Sequence, residues 1–169
     1  MDLQIYGSKV LREKSTSLID NEINDELKAV LDDMVRVMRL ANGIGLASNQ
    51  VDINRRYFVM EIDDVIRKCI NPEIVEVLSK EDVPMDEGCL SVPGIYKEVR
   101  RPDKIKVKYL NEDGVEVVEV LEGLWAKCFQ HELDHINGFL FIDRISNINK
   151  NLIRKKLALL KRNSKPITY

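Results

Sequence analysis

Long apolar runs, a secretory leader and an even set of cysteines are all missing from this 169-residue sequence. No stretch approaches the roughly 20 apolar residues that a membrane-spanning helix needs. The first residues lack the basic start and apolar core of a signal peptide. Three cysteines, Cys69, Cys89 and Cys128, are an odd count that disfavours disulfides. We therefore expect a protein of the reducing cytoplasm that makes no contact with a membrane.

Acidic residues are missing from the end of the sequence. Asp143 is the last of them, and eight lysines and arginines follow it, although the net charge of the whole chain is only -2. Such a basic tail suits a polyanion such as RNA. The alternative is that these residues form the solvated face of a helix.

The hydrophobic pattern predicts one α+β domain over residues 1–169, with antiparallel strands around a central helix. A first helix is predicted from Glu22 to Ala41, capped by Asp20 or Asn21. The central helix should begin near Leu124 and stop at Asn137-Gly138, and a basic C-terminal helix should cover about 149–163. Predicted strands are 57–60, 74–78, 105–109 and 115–121, the last two joined by a turn at 111–114.

Histidine is scarce, and its placement is informative. The only two histidines lie four positions apart in His131-Glu132-Leu133-Asp134-His135. On a helix these positions share one face and are about 6 Å apart along the axis. Two imidazoles so placed can hold one metal ion, and Glu132 can carry a proton. Leu124 and Cys128 fall on the same stripe, so the histidines should face inward.

A hydrolytic metal site needs a third protein ligand. Cys128 would lie about 10 Å along the helix from His135, so we interpret it as a small buried residue. Cys89, in the predicted loop Glu87–Ser91, is the better candidate because glycine beside it allows close backbone approach. A thiolate with two imidazoles makes a three-ligand site. The alternative is a free cysteine of the core.

The segment Gly43–Gln50 is the third candidate for a functional role. Two glycines, Gly43 and Gly45, would permit unusual backbone angles after the first helix, and Gln50 would offer an amide donor. The alternative is a helix stop followed by a polar surface residue.

Taken in order, these three segments resemble the signatures of the peptide deformylases. Their order and spacing match that family across nearly the whole chain, and the ordered triple is far more specific than any one segment. Ser48 departs from the family pattern, which has alanine there, and should affect packing rather than chemistry. The segments are Gly43-Ile44-Gly45-Leu46-Ala47-Ser48-Asn49-Gln50, Glu87-Gly88-Cys89-Leu90-Ser91 and Gln130-His131-Glu132-Leu133-Asp134-His135.

The resemblance implies an enzyme of the bacterial cytosol that removes the formyl group from N-formylmethionyl nascent peptides and releases formate. It implies one Fe2+, with Zn2+, Ni2+ or Co2+ as substitutes. The implied metal ligands are Cys89, His131 and His135. The implied catalytic groups are Glu132 as general acid and base, with Gln50 and the Leu90 N–H holding the carbonyl oxygen. The implied substrate-binding residues are Gly43, Ile44, Gly45, Leu124 and Cys128.

A ribosome-associated substrate would also give the basic tail a role. Lys155, Lys156, Lys161 and Arg162 could contact ribosomal RNA, whereas no binding of DNA or membranes is expected. Two rival interpretations stay open at this point. A zinc peptidase shares the histidine pair but usually takes a third histidine or a carboxylate as ligand. A structural metal site would want four protein ligands.

Overall fold

The computed structural model describes residues 1–169, which form three helices and nine strands. The helices are α1 (Asp25–Leu40), α2 (Leu124–Ile136) and α3 (Asn147–Arg162). The strands are β1 (Asp2–Leu3), β2 (Gly45–Ala47), β3 (Tyr57–Ile62), β4 (Val65–Val77), β5 (Asp82–Cys89), β6 (Val92–Pro102), β7 (Lys104–Leu110), β8 (Glu116–Glu122) and β9 (Ile167–Thr168). None of the three helices is long and apolar enough to cross a membrane.

The strands form three antiparallel sheets. The largest has five strands in the order β2-β3-β4-β7-β8, while β5 pairs with β6 and β1 with β9. The α+β prediction, with antiparallel strands and with helices near both ends of the chain, is therefore confirmed. The predicted hairpin is also present, because β7 and β8 pair along their full length from Lys104↔Glu122 to Leu110↔Glu116.

Helix α1 starts later than predicted. Asn24 is its N-cap, and the Asn24 side chain accepts a hydrogen bond from the Leu27 N–H at 3.0 Å. The predicted cap at Asp20 or Asn21 is wrong because residues 20–22 form a separate 3-10 turn. The helix ends where expected, since Asn42 takes a left-handed conformation with φ of 58°.

Helix α2 lies at the centre and is buried on nearly every side. On the sheet side, the Phe129 ring packs edge-on against Phe58 with centroids 5.1 Å apart. The helix begins after Gly123 and ends before Gly138, whose φ values of 59° and 83° suit glycine, as predicted. A side chain at Gly138 would meet the Arg12 carbonyl at 2.7 Å. These contacts fix the helix that carries both histidines.

Helix α3 lies on the surface. Ser146 caps it by accepting the Asn149 N–H at 3.2 Å, and Ile153 is its only fully buried residue. After α3 the chain turns back, and β9 pairs with β1 in the register Asp2↔Thr168 and Leu3↔Ile167. The sequence pattern did not predict this last strand.

Candidate metal centre and active site

Three side chains from two elements converge at one end of α2. Cys89 Sγ at the end of β5 lies 3.2 Å from His135 Nε2, which lies 3.2 Å from His131 Nε2. All three candidate ligand atoms lie within 4.8 Å of one another. The four-residue spacing on α2 thus aims both imidazoles at the same point, and β5 delivers the thiol to it.

This cluster fits a single metal ion of the first transition series. Two nitrogen ligands about 2.0–2.1 Å from one tetrahedral ion are about 3.3 Å apart, close to the observed 3.2 Å. Thiolate and imidazole are donors for zinc and iron, and three protein ligands leave one coordination position free. Cys128 lies outside the cluster, where its buried thiol contacts the Ile44 carbonyl at 3.7 Å and burial raises its pKa.

Cys89 does not lie in a loop, which corrects the prediction for Glu87–Ser91. Strand β5 continues to Cys89, with a register shift after Glu87, and the tight turn Leu90-Ser91 leads into β6. Gly88 lies directly under the exposed ring of Tyr96, which would have to move if residue 88 carried a side chain. The Leu90 N–H makes none of the backbone hydrogen bonds found in turns and loops. It is therefore free to donate beside the thiol.

The carboxyl group of Glu132 is buried next to the candidate ligands. The residue is 3% exposed, and its Oε2 has no hydrogen-bond partner. Burial is the largest influence on this group and raises the pKa of Glu132 to about 7. A carboxyl group with that pKa can both accept and donate a proton near neutral pH.

Gly43 and Gly45 are needed for close approach rather than for unusual backbone angles. Neither has a positive φ, so that expectation is wrong. A side chain at Gly45 would collide with the carboxyl group of Glu132 and lie 2.9 Å from Cys128 Sγ. A side chain at Gly43 would lie 2.7 Å from Leu90. The glycines therefore let the start of β2 lie directly against the site.

Gln50 is a buried site residue, and the interpretation as a polar surface residue is wrong. It is 1% exposed, and its Oε1 accepts the Ala47 N–H at 2.9 Å. That bond fixes the orientation of the amide, so Nε2 donates to Ser91 Oγ at 3.1 Å and lies 3.6 Å from Cys89 Sγ. The neighbouring Ser48 is also buried, and its hydroxyl donates to the Arg55 carbonyl, away from the cluster.

A cleft of about 450 Å³ opens in front of these groups. Ile44 and Leu124 are 44% and 41% exposed and form part of its rim, whereas Cys128 lies deeper. All five residues expected to bind substrate line this cleft, namely Gly43, Ile44, Gly45, Leu124 and Cys128. The cleft thus combines an apolar rim with the polar cluster at its base.

A buried chain of ion pairs supports the candidate ligands, and no local sequence pattern predicted it. Glu87 Oε1 lies 2.7 Å from His131 Nδ1. Arg101 donates two hydrogen bonds to Glu87, at 2.6 and 3.0 Å, and one to Asp134 at 2.8 Å. Asp134 also accepts two from Arg144. Glu87 is two positions before Cys89, and Asp134 directly precedes His135, so the sequence offered a signal for both carboxylates. No comparable signal points to Arg101.

Glu87 is ionised in this environment. Burial alone would raise its pKa, but the hydrogen bonds from His131 and Arg101 outweigh burial and lower the pKa of Glu87 to about 2. When a histidine binds a metal through one ring nitrogen, a carboxylate can accept a hydrogen bond from the other ring nitrogen. This bond fixes the orientation of the ring and makes the metal-binding nitrogen more basic.

Comparison with known proteins gives one consistent result. A family model described as polypeptide deformylase matches residues 1–151. The peptide deformylase of Fusobacterium nucleatum is 48% identical over 163 residues, which cover 96% of this chain and 93% of that protein. The crystallised peptide deformylase of Plasmodium falciparum superposes with a TM-score of 0.90 at 36% identity over 95% of each chain. The peptide deformylase of Synechococcus elongatus in complex with actinonin gives 0.87 at 38% identity, over 92% of this chain and 87% of that one.

Replacing Glu87 with glutamine should weaken metal binding by about 10- to 100-fold. The neutral amide accepts the hydrogen bond from His131 more weakly and leaves Arg101 with less compensating charge. Competition titration against a chelator measures the effect. The matched control is Glu98→Gln, an exposed residue of β6 without an ion pair. Equal affinity in both variants would show that Glu87 does not support the site.

Proposed function

The chain belongs to the peptide deformylase family, and on that basis we propose that Cys89, His131 and His135 bind its metal ion while Glu132 acts as general acid and base. The activity is the metal-dependent removal of the N-formyl group from nascent peptides, with release of formate. The observation that carries the residue assignments is the convergence of one thiol and two imidazoles beside a buried, unpaired carboxyl oxygen.

Glu132 moves the proton in the proposed mechanism. When bound, the ion supplies Lewis-acid activation of water and of the formyl carbonyl. Glu132 takes a proton from the attacking water as the water oxygen bonds to the formyl carbon. It then gives a proton to the methionine nitrogen as the carbon–nitrogen bond breaks. The water oxygen leaves in formate, and the peptide leaves with a free amine.

Two donors are proposed to hold the carbonyl oxygen as negative charge develops on it. These donors are Gln50 Nε2 and the N–H of Leu90, the residue that directly follows Cys89. The Gln50 amide is oriented in advance by its bond from Ala47, so little reorganisation is needed during the reaction. Loss of one such donor typically costs about 2.7–4 kcal/mol of transition-state stabilisation.

The substrate backbone is proposed to pair with the start of β2. This strand is at the edge of the five-stranded sheet, so one side of it has no strand partner. An extended peptide can add to such an edge through main-chain hydrogen bonds. Gly43, Ile44 and Gly45 would supply those contacts, and Leu124 with Cys128 would receive the methionine side chain. Main-chain recognition would allow one enzyme to process many different proteins.

Formate release tests the function and the role of Glu132 together. Wild-type enzyme should release formate from formyl-Met-Ala-Ser without cleaving an internal peptide bond, which a zinc peptidase would cleave. Glu132→Gln should keep the metal but lose about 10²–10⁴-fold in kcat. Gln50→Leu should lose about 10²–10³-fold. The control, Glu26→Gln on the exposed first turn of α1, should match wild type. Full turnover in Glu132→Gln would exclude the proposed role.

We propose Fe2+ as the native ion. Sulfur and nitrogen donors suit iron, zinc, nickel and cobalt alike, so oxidation distinguishes them better than affinity does. A thiolate on a ferrous centre is readily oxidised. Enzyme purified without oxygen should contain iron, and dilute peroxide should inactivate it within a time that leaves nickel- or zinc-loaded enzyme active. Elemental analysis and formate release on the same samples measure this. An iron-loaded enzyme that resists peroxide would argue against Cys89 as a ligand.

Helix α3 is proposed to contact the ribosome, in the bacterial cytosol where the nascent substrate is made. Its Lys155, Lys156, Lys161 and Arg162 are exposed and form no ion pair within the chain. Four free cations on one surface helix can bind RNA phosphates. An enzyme held there would meet each new chain early.

Reversing these four charges to glutamate should abolish salt-sensitive co-sedimentation with ribosomes and leave deformylation of a free peptide unchanged. Each lost phosphate contact should lower the slope of log K against log salt by about 0.7–0.9. The control reverses Lys14, Lys80, Arg100 and Lys104, which are exposed and lie outside α3. Equal loss in both variants would point to a general charge effect instead.

A further inference from the structure

We propose that β9 together with Tyr169 forms one wall of the peptide cleft and favours apolar side chains in the residues that follow the formylated methionine. This inference rests on the proposed function and concerns the range of its substrates. It assigns a specificity-determining role to the last residues of the chain, which lie outside all three motif segments.

Residues between Gly43 and Gln50 line the same cleft as Cys89 and His131. Gln50 lies beside Cys89 Sγ, at 3.6 Å. Gly45 lies against the carboxyl group of Glu132, and Gly43 lies against Leu90. A peptide with its formyl group at the candidate ligands and its backbone along β2 could extend to the residues that precede β2 and line the same cleft, Ala41 and Asn42.

The last residues of the chain are located at that end. Ile167 and Tyr169 line the same cleft as Ala41 and Asn42, which follow directly on α1. The Tyr169 carbonyl accepts a hydrogen bond from Arg36, on the last turns of α1, at 3.5 Å. The wall they form is thus beside the residues that connect α1 to β2.

Strand pairing fixes which side chains face the cleft. β9 pairs with β1, and the Tyr169 N–H continues the ladder by donating to the Met1 carbonyl at 3.3 Å. Side chains alternate between the two faces of a strand. Thr168 turns toward Asp2, with its hydroxyl 2.8 Å from Asp2 Oδ1. Ile167 and Tyr169 therefore share the other face, which is the one that lines the cleft.

The chemistry of this wall is apolar. Ile167 is 40% exposed, which is close to the 44% exposure of Ile44 on the rim of the cleft. The charged residues that line the cleft all belong to β5 and α2, namely Asp86, Glu87, Lys127, His131 and Glu132. A peptide side chain that packs on the side chains of Ile167 and Tyr169 would thus meet hydrocarbon and an aromatic ring, so burial of apolar surface would be the main contribution to its affinity.

The test compares kcat/KM for formyl-Met-Ala-Leu-Leu with that for formyl-Met-Ala-Ser-Ser. Wild type should prefer the leucine peptide by about tenfold, the size of effect expected for modest apolar burial. The double variant Ile167→Ser, Tyr169→Ser should reduce this preference to less than about twofold. Thr168→Ala, which alters the opposite face of the same strand, should keep the preference. A wild type without preference, or a double variant that retains it, would overturn the inference.

A charge substitution protects the test against loss of folding. Ile167→Asp should create a preference of about fivefold or more for formyl-Met-Ala-Lys-Lys over the serine peptide, which a merely destabilised enzyme could not acquire. Absence of that gain would also count against the wall. Failure of the proposed function looks different, because wild type would then release no formate from any of these peptides.

Discussion

The guanidinium of Arg101 is the contact on which the active site depends. It is 3% exposed and joins three elements, since it belongs to β6 and binds Glu87 on β5 and Asp134 on α2. Burying these charges costs free energy of desolvation that only good hydrogen-bond geometry can offset, and removal of one partner from such a pair typically costs about 3–5 kcal/mol. Well-packed apolar residues could stabilise the fold as well. They could not hold Glu87 against His131 while keeping β5, and with it Cys89, beside α2.

Helix α2 has two sides with opposite requirements. Its sheet side needs dense apolar packing, which Phe129 and Phe58 provide. Its other side must bury Glu132, because burial raises the pKa of this carboxyl group to about 7. The same side leaves one carboxyl oxygen of Glu132 without a hydrogen-bond partner. An unpaired buried oxygen is costly, and beside a cluster of candidate metal ligands such a group is a candidate for proton transfer. Gly45 reconciles the two demands, because only a residue without a side chain lets β2 cover the carboxyl group without displacing it.

Local patterns predicted what local interactions decide. The four-residue histidine spacing predicted α2 because one helix face is set by neighbours in sequence. The choice of Cys89 over Cys128 followed from the rise of a helix, although its loop is in fact a strand end. Arg101 could not be predicted, since its partners lie 14 and 33 positions away. β9 could not be predicted either, because its pairing with β1 joins the two ends of the chain.

Edge strands explain why the cleft lies where it does. An unpaired strand edge is a hazard for aggregation, and proteins commonly keep such edges short. β2 has only three residues and its start packs closely against the site, so the pairing that we propose would involve only a short segment of one extended peptide. A main-chain ladder of that kind gives affinity without reading sequence. Selectivity must then come from the walls on either side of the ladder. The proposed methionine pocket against α2 would supply the first of these, and β9, which follows α3, would supply the second.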